Sequence, residues 1–171
     1  MTRRLVAGSA AVEIRDATAE DWSAIWPFLR AIVRAGETYT LPRDLDEAAA
    51  RAFWMRAGTL VAVDGATVLG TAKIVPNQQG PGAHVANASF MVDPAHTGKG
   101  VGRALGAAAL DRARADGYRA MQFNAVVETN VGAVRLWRSL GFSTLTTVPE
   151  AFHHPTRGYV GLHVMWRSLE G

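Results

Sequence analysis

The 171-residue sequence contains no cysteine, which excludes disulfide staples, a thiolate nucleophile and any cysteine-held metal centre. No run approaches the ~18 consecutive apolar residues that cross a bilayer as a helix, and Met1-Thr2-Arg3-Arg4-Leu5 lacks the sustained apolar segment of a secretory signal. A cytoplasmic location without membrane partners is therefore expected. Blocks of like charge are also missing: 18 Lys and Arg are scattered among 15 Asp and Glu, with no basic run beyond Arg3-Arg4. The net charge of +3 then gives a mild field suited to small anionic ligands rather than a nucleic-acid footprint. No metal is expected. With 49% hydrophobic and 19% charged residues, a single packed domain is expected over 11–169, preceded by a flexible lead over 1–10.

Periodicity gives the order of elements. Val12 to Arg15 alternates as a strand; Thr18 and Asp21 have capping-box spacing before a helical stripe of Trp22, Ile25, Leu29, Ile32 and Val33, with Pro27 predicted to kink it. Asp44 or Asp46 can cap a second helix over Glu47 to Arg56. Thr59 to Val63 and Thr67 to Val75 flank Asp64-Gly65, a hairpin signal. A loop from Pro76 to Gly82 and a strand from Ala83 to Val92 follow, then a glycine-rich turn and a helix from Val101 that ends near Asp116-Gly117. Arg119 to Val127 reads as a strand, Asn130 to Leu140 as a helix closed by Gly141, and Phe142 to Val148 and Val160 to Met165 as strands joined by an irregular Pro149 to Gly158 loop. Trp22, Trp26, Trp54 and Trp166 read as core or interface residues.

The chemistry-bearing stretch is the strand, turn and helix from Phe90 to Leu105, with Gly98, Gly100 and Gly102 at the turn. Glycines admit close backbone approach, and a helix start presents unpaired N–H groups with partial positive charge; together they cradle a pyrophosphate, although the same glycines also serve a plain tight turn. Spacing excludes two other phosphate motifs. A P-loop needs Ser or Thr after Gly98-Lys99, where Gly100 stands, and a dinucleotide fingerprint needs glycine at Arg103 or Leu105.

Thr97-Gly98-Lys99-Gly100-Val101-Gly102 resembles the Arg/Gln-x-x-Gly-x-Gly/Ala cofactor motif of the GNAT superfamily of N-acetyltransferases, departing from it at Thr97. Asn130 to Phe142 resembles that family's Asn-x-x-Ala-x-x-Leu-Tyr-x-x-x-Gly-Phe segment, with Trp137 in the tyrosine's place. The resemblance spans roughly Glu13 to Arg167. It implies an α/β fold with a mixed, mostly antiparallel seven-stranded sheet, about four helices, and a splayed pair of central strands, Phe90 to Val92 and Phe123 to Val126. Acetyl-CoA is implied as co-substrate, held by the backbone of Met91 and Val92 and by Thr97, Gly98, Gly100, Val101, Gly102, Arg103 and Asn130. The implied reaction is direct attack of a neutral amine in a ternary complex, with an N–H near Val92 facing the developing oxyanion. An indole N–H is a weak donor and cannot give up its proton, so Trp137 does not replace the family's tyrosine as proton donor.

Phe123-Asn124-Ala125-Val126-Val127-Glu128-Thr129-Asn130 resembles, more narrowly, the branch that includes fungal acetyltransferases of proline analogues. That points to a small-molecule amine acceptor, an amino acid or its analogue; a protein amine, an antibiotic, a herbicide, or a non-catalytic acyl-CoA sensor are the alternatives. Asn124 and Asn87 are candidates for orienting the amine, since an amide both donates and accepts without a charge of its own. Asn130 also suits an ordinary N-cap, and Asn87 a strand-end backbone bond. Glu128 is a base candidate beside Glu37, His84, His153 and His154, and Tyr39 and His153 are candidates for acceptor contact. A homodimer is compatible with the resemblance.

Overall fold

The computed structural model describes residues 3–5 and 12–171. Along the chain run β1 (Arg3–Leu5), β2 (Val12–Asp16), α1 (Trp22–Ala35), α2 (Glu47–Trp54), β3 (Leu60–Asp64), β4 (Thr67–Pro76), β5 (Val85–Val92), α3 (Val101–Ala115), β6 (Ala120–Val127), α4 (Val131–Ser139), β7 (Ser143–His154) and β8 (Gly158–Ser168). They form one sheet in the order β1-β2-β3-β4-β5-β6-β8-β7. The seven expected strands are present, and β1 adds an eighth at the edge by pairing antiparallel with β2. Part of the expected flexible lead is thus a strand; residues 1, 2 and 6–10 of it lie outside the described residues.

Side-chain alternation explains the layers. On β3, Leu60 and Ala62 belong to the core on the α3 side of the sheet with Ala72, Leu105, Ala109 and Trp137, while Val61 and Val63 belong to the core under α1 and α2 with Ile25, Leu29 and Trp54. The first helix is entered as its sequence suggests: the Asp21 carboxylate accepts the Thr18 N–H at 2.7 Å and is gripped by both terminal nitrogens of Arg15 at 2.8 Å. Asp46 caps α2 by accepting the Ala49 N–H at 2.9 Å. At Gly106 a Cβ would lie 2.6 Å from the end of the Leu140 side chain, so any larger residue there would make Leu140 shift.

All strand pairs are antiparallel except β5 with β6. That parallel ladder holds for only Val85↔Ala120 and Ala86↔Met121, after which the strands part. A register shift in β6 between Phe123 and Val126 bends it further from β5. The fork is the feature that positions the site. One expectation fails: the loop from Pro149 to Gly158 is strand on both sides of a three-residue turn, with the break in register confined to 149–151, where Glu150 takes a φ of 51°. Pro149 and the positive φ mark a bulge here rather than the end of pairing.

Candidate active site

Where the ladder ends, the Asn87 side chain takes over, its Nδ2 donating to the Gln122 carbonyl at 2.9 Å. A carbonyl stranded by the splay is thereby satisfied, and the fork is splinted at its apex. Further along β5 the Tyr39 hydroxyl accepts the Phe90 N–H at 3.0 Å and donates to the Phe90 carbonyl. Burial pushes this phenol's pKa up, against the opposing pull of its bond to Phe90, so it stays protonated. On the other side of β5 the Asp93 N–H bonds to Leu69 of β4 at 2.9 Å. Antiparallel alternation therefore points the Met91 backbone at β4 and the Val92 N–H into the fork. Of the two backbones expected to face the co-substrate, Met91 is consumed by the sheet and Val92 remains.

Below the fork the turn before α3 has the form a polyphosphate needs. Gly98 and Gly100 have φ of 79° and 76°, and a Cβ at either would point into open space. No side chain caps α3 and its first turn holds no acid, so the N–H groups of Val101, Gly102 and Arg103 have no intrahelical acceptor. The Thr97 hydroxyl donates to Pro94 at 3.1 Å, and the Arg103 guanidinium donates to Ser139 at 2.9 Å, tying α3 to α4. Asn130 accepts the Ala133 N–H at 3.4 Å as a weak N-cap, and also lines the cleft.

Fork and turn open into one cavity of about 1030 Å³ that runs from the α3 N-terminus past Val92 to the link between α1 and α2. Its wall carries Asn124 and Asn77, with Asn124 Nδ2 donating to Asn77 Oδ1 at 2.7 Å; from outside the lining, Gln122 Nε2 donates to Asn124 Oδ1 at 2.9 Å. Asn77 was not singled out in the sequence, because it comes to Asn124 only across the fork. Trp137 is buried under the cavity, its ring 4.6 Å from Phe90 and 4.9 Å from Phe123. Among the cavity's lining residues the charged ones are Glu37 and Lys73. Lys73, also unremarked in the sequence, is 5% exposed, with Nζ 3.3 Å from the centroid of the Phe53 ring.

Two expected site residues stand elsewhere. Glu128 points away, its Oε1 accepting the Gly161 N–H at 2.5 Å while its own N–H bonds to Gly161 O at 3.0 Å, so it fastens the end of β6 to β8. His153 is exposed near the β7–β8 turn and stacks on Tyr159 at 4.6 Å, because pairing continues where a loop was expected. Neither lines the cavity. Among the described residues no group of three or more His, Cys, Asp or Glu could hold a metal, and no helix is long and apolar enough to cross a membrane.

A family model for the acetyltransferase (GNAT) family matches residues 13–142. The chain belongs to the GNAT family. It is 30% identical over 147 residues to the N-acetyltransferase aca1 of Schizosaccharomyces pombe, covering 75% of this chain and 70% of that protein. Its fold superposes with a TM-score of 0.90 on a GCN5-related N-acetyltransferase from Kribbella flavida, at 58% identity over 92% of this chain and 97% of that one. It is also similar, at 27% identity and a TM-score of 0.81, to yncA from Salmonella typhimurium, solved with its cofactor acetyl-CoA, with 94% and 95% of the two chains covered. A phosphinothricin acetyltransferase from Sinorhizobium meliloti in complex with acetyl-CoA matches at 25% identity and a TM-score of 0.82, over 92% of this chain and 88% of that one. This GNAT protein is an acyltransferase that uses acetyl-CoA. Its uncapped α3 terminus, open glycine turn and inward Val92 N–H fit that co-substrate's pyrophosphate and thioester.

Proposed function

We propose that this GNAT enzyme acetylates the amine of a small molecule, an amino acid or proline analogue, by direct transfer within a ternary complex. The observation that carries the reading is the amide pair Asn124–Asn77, backed by Gln122, on the wall of the same cavity that receives the Val92 N–H. Acetyl-CoA, when bound, supplies the activated acyl carbon. The α3 terminus and the N–H groups of the 98–103 turn hold its pyrophosphate, and Val92 donates toward the acyl oxygen, where negative charge gathers as the amine attacks. Asn124 has one N–H beyond its bond to Asn77 and a carbonyl oxygen with a second lone pair, so it can orient an uncharged amine. Asn87 acts one step back, holding the fork apart at the right width.

Glu128 is committed to Gly161 and does not take the amine's proton, which leaves through the cleft, where Glu37 is the lining carboxylate. Trp137 lines the cavity with an apolar ring against Phe90 and would take no proton role toward the thiolate that acetyl transfer would release. Aminoglycosides, protein amines and herbicide-like amines are the competing acceptors. Thiol release from acetyl-CoA, followed with a chromogenic disulfide against standard amino acids, azetidine-2-carboxylate, polyamines, aminoglycosides and phosphinothricin, decides among them. Turnover confined to amino acids or proline analogues is expected; preference for a polyamine or aminoglycoside would overturn the reading.

A further inference from the structure

Lys73 is an unusual residue for the middle of a sheet. It sits on β4 opposite Ser89 of β5, on the face that carries Thr71 and turns toward α2. It is buried between strands and helix, yet among the described residues no carboxylate comes within ion-pair distance. What surrounds the ammonium is aromatic: the Phe53 ring at 3.3 Å and the Trp54 ring at 5.8 Å. Ring faces stabilise the cation but accept no conventional hydrogen bond, so three N–H donors are left for whatever enters the cavity. A buried ammonium without a counter-ion is costly to keep in a fold, and its other charged neighbour, Arg56, is a cation. An anionic group on an entering ligand would supply the missing partner.

Position fits an acceptor rather than acetyl-CoA. Ser89, the register partner of Lys73, lies three residues from Val92 along β5, roughly 10 Å at the rise of a strand. Lys73, Ser89 and Val92 line the same cavity, so an acceptor whose nitrogen approaches the acyl group at Val92 can extend its carboxylate toward Lys73. The polyphosphate site lies past Val92 in the opposite direction, at the α3 terminus. On the same stretch of wall Asn77 and Asn124 supply uncharged donors and acceptors.

Building on the small-amine reading, we propose that the Lys73 ammonium binds the carboxylate of the acceptor, making this enzyme selective for amines that carry a negative charge next to the nucleophilic nitrogen. The cation sets substrate class as well as affinity. An amino acid enters with its carboxylate on Lys73, whereas a polyamine or aminoglycoside brings a second positive charge against it. Lys73 binds substrate and takes no part in bond making.

The test uses matched pairs: each standard amino acid and azetidine-2-carboxylate beside its own primary amide, which keeps the amine and removes the negative charge. Thiol release by the wild type should give KM at least tenfold lower for acids than for amides. In Lys73→Met that preference should collapse toward one, with the rise in KM for the acid exceeding the fall in kcat; Lys73→Arg should retain a preference of severalfold. Equal use of acid and amide by the wild type, or an unchanged preference in Lys73→Met, overturns the proposal. Should no compound turn over, the acetyl-transfer assignment to amino acids fails, and Lys73 is judged by calorimetric titration of the same pairs into protein saturated with CoA. Acids that bind the wild type but not Lys73→Met uphold the anion site; heats that do not distinguish acid from amide, or no binding of either, overturn it.

Discussion

Replacing Lys73 with methionine should make the protein more stable, although it should make the enzyme worse. Burial first, and then the proximity of Arg56, push the ammonium's pKa from 10.5 down to about 8. At ~1.4 kcal/mol per pH unit this corresponds to at most roughly 3.5 kcal/mol against the charged form in the fold. The ammonium reaches cavity water and is stabilised by Phe53, so about 1–2 kcal/mol is the working expectation. Methionine preserves the length of the stem and its contact with Phe53 and Trp54 while removing the charge. For a chain of this size that gain is worth about 2–8 °C in melting temperature.

The sign with pH is specific. The folded pKa lies below the unfolded one, so the wild type carries its full handicap below pH 8 and sheds it as pH rises toward 10.5. The charged group that bears on Lys73 is Arg56 beyond the end of α2, with the neutral rings of Phe53 and Trp54 beside it; Glu37 lines the same cavity. Urea unfolding of both proteins at pH 6.5, 8 and 10 measures the difference directly. It should be largest at pH 6.5 and fall to about a quarter of that value at pH 10; a variant less stable than wild type at pH 6.5, or a difference independent of pH, would refute the reasoning.

Three further perturbations address the rest of the site. Gly100→Val should weaken acetyl-CoA binding by at least about tenfold, equal to ~1.4 kcal/mol, because the new side chain fills the open turn at φ 76°; Gly65→Val, at φ 57° on the β3–β4 turn, carries similar backbone strain and should leave that affinity unchanged by calorimetry. Tyr39→Phe strips both Phe90 backbone groups of their partner and should lower unfolding free energy by about 1–3 kcal/mol in denaturant titrations; a loss under ~0.5 kcal/mol would mean that water replaces the hydroxyl freely. Glu128→Gln keeps an oxygen for the Gly161 N–H, so kcat should stay within about threefold, whereas a general base would cost ~100-fold or more.

Most of the fold could be read from the sequence because its signals are local: Thr18 and Asp21 at the first helix, Asp64-Gly65 at the hairpin, and the glycines before α3 each act within a few residues. The α3 cradle was legible for the same reason. Departures arise where a distant partner decides. Pro149 and Glu150 look like a loop until β8 is placed beside them. Glu128 resembles a free carboxylate beside a cleft until Gly161 arrives to claim it, 33 residues on. Lys73 looks like an ordinary polar position on a strand, and only the packing of α2 over that face reveals an ammonium set against Phe53 and Trp54 at the cavity wall. Asn124 was legible because asparagine is disfavoured in strands, but its partner Asn77 depends on the width of the fork.

The most direct test of direct transfer to a small acceptor is mass spectrometry of the whole reaction mixture after the protein is incubated with acetyl-CoA and an amino acid or azetidine-2-carboxylate. Acceptor heavier by one acetyl group on its nitrogen, matched mole for mole by free CoA and with the protein's mass unchanged, is the predicted result. An acetyl group found on the protein itself, or acetyl-CoA that binds and stays intact with every amino acid and proline analogue, would contradict it.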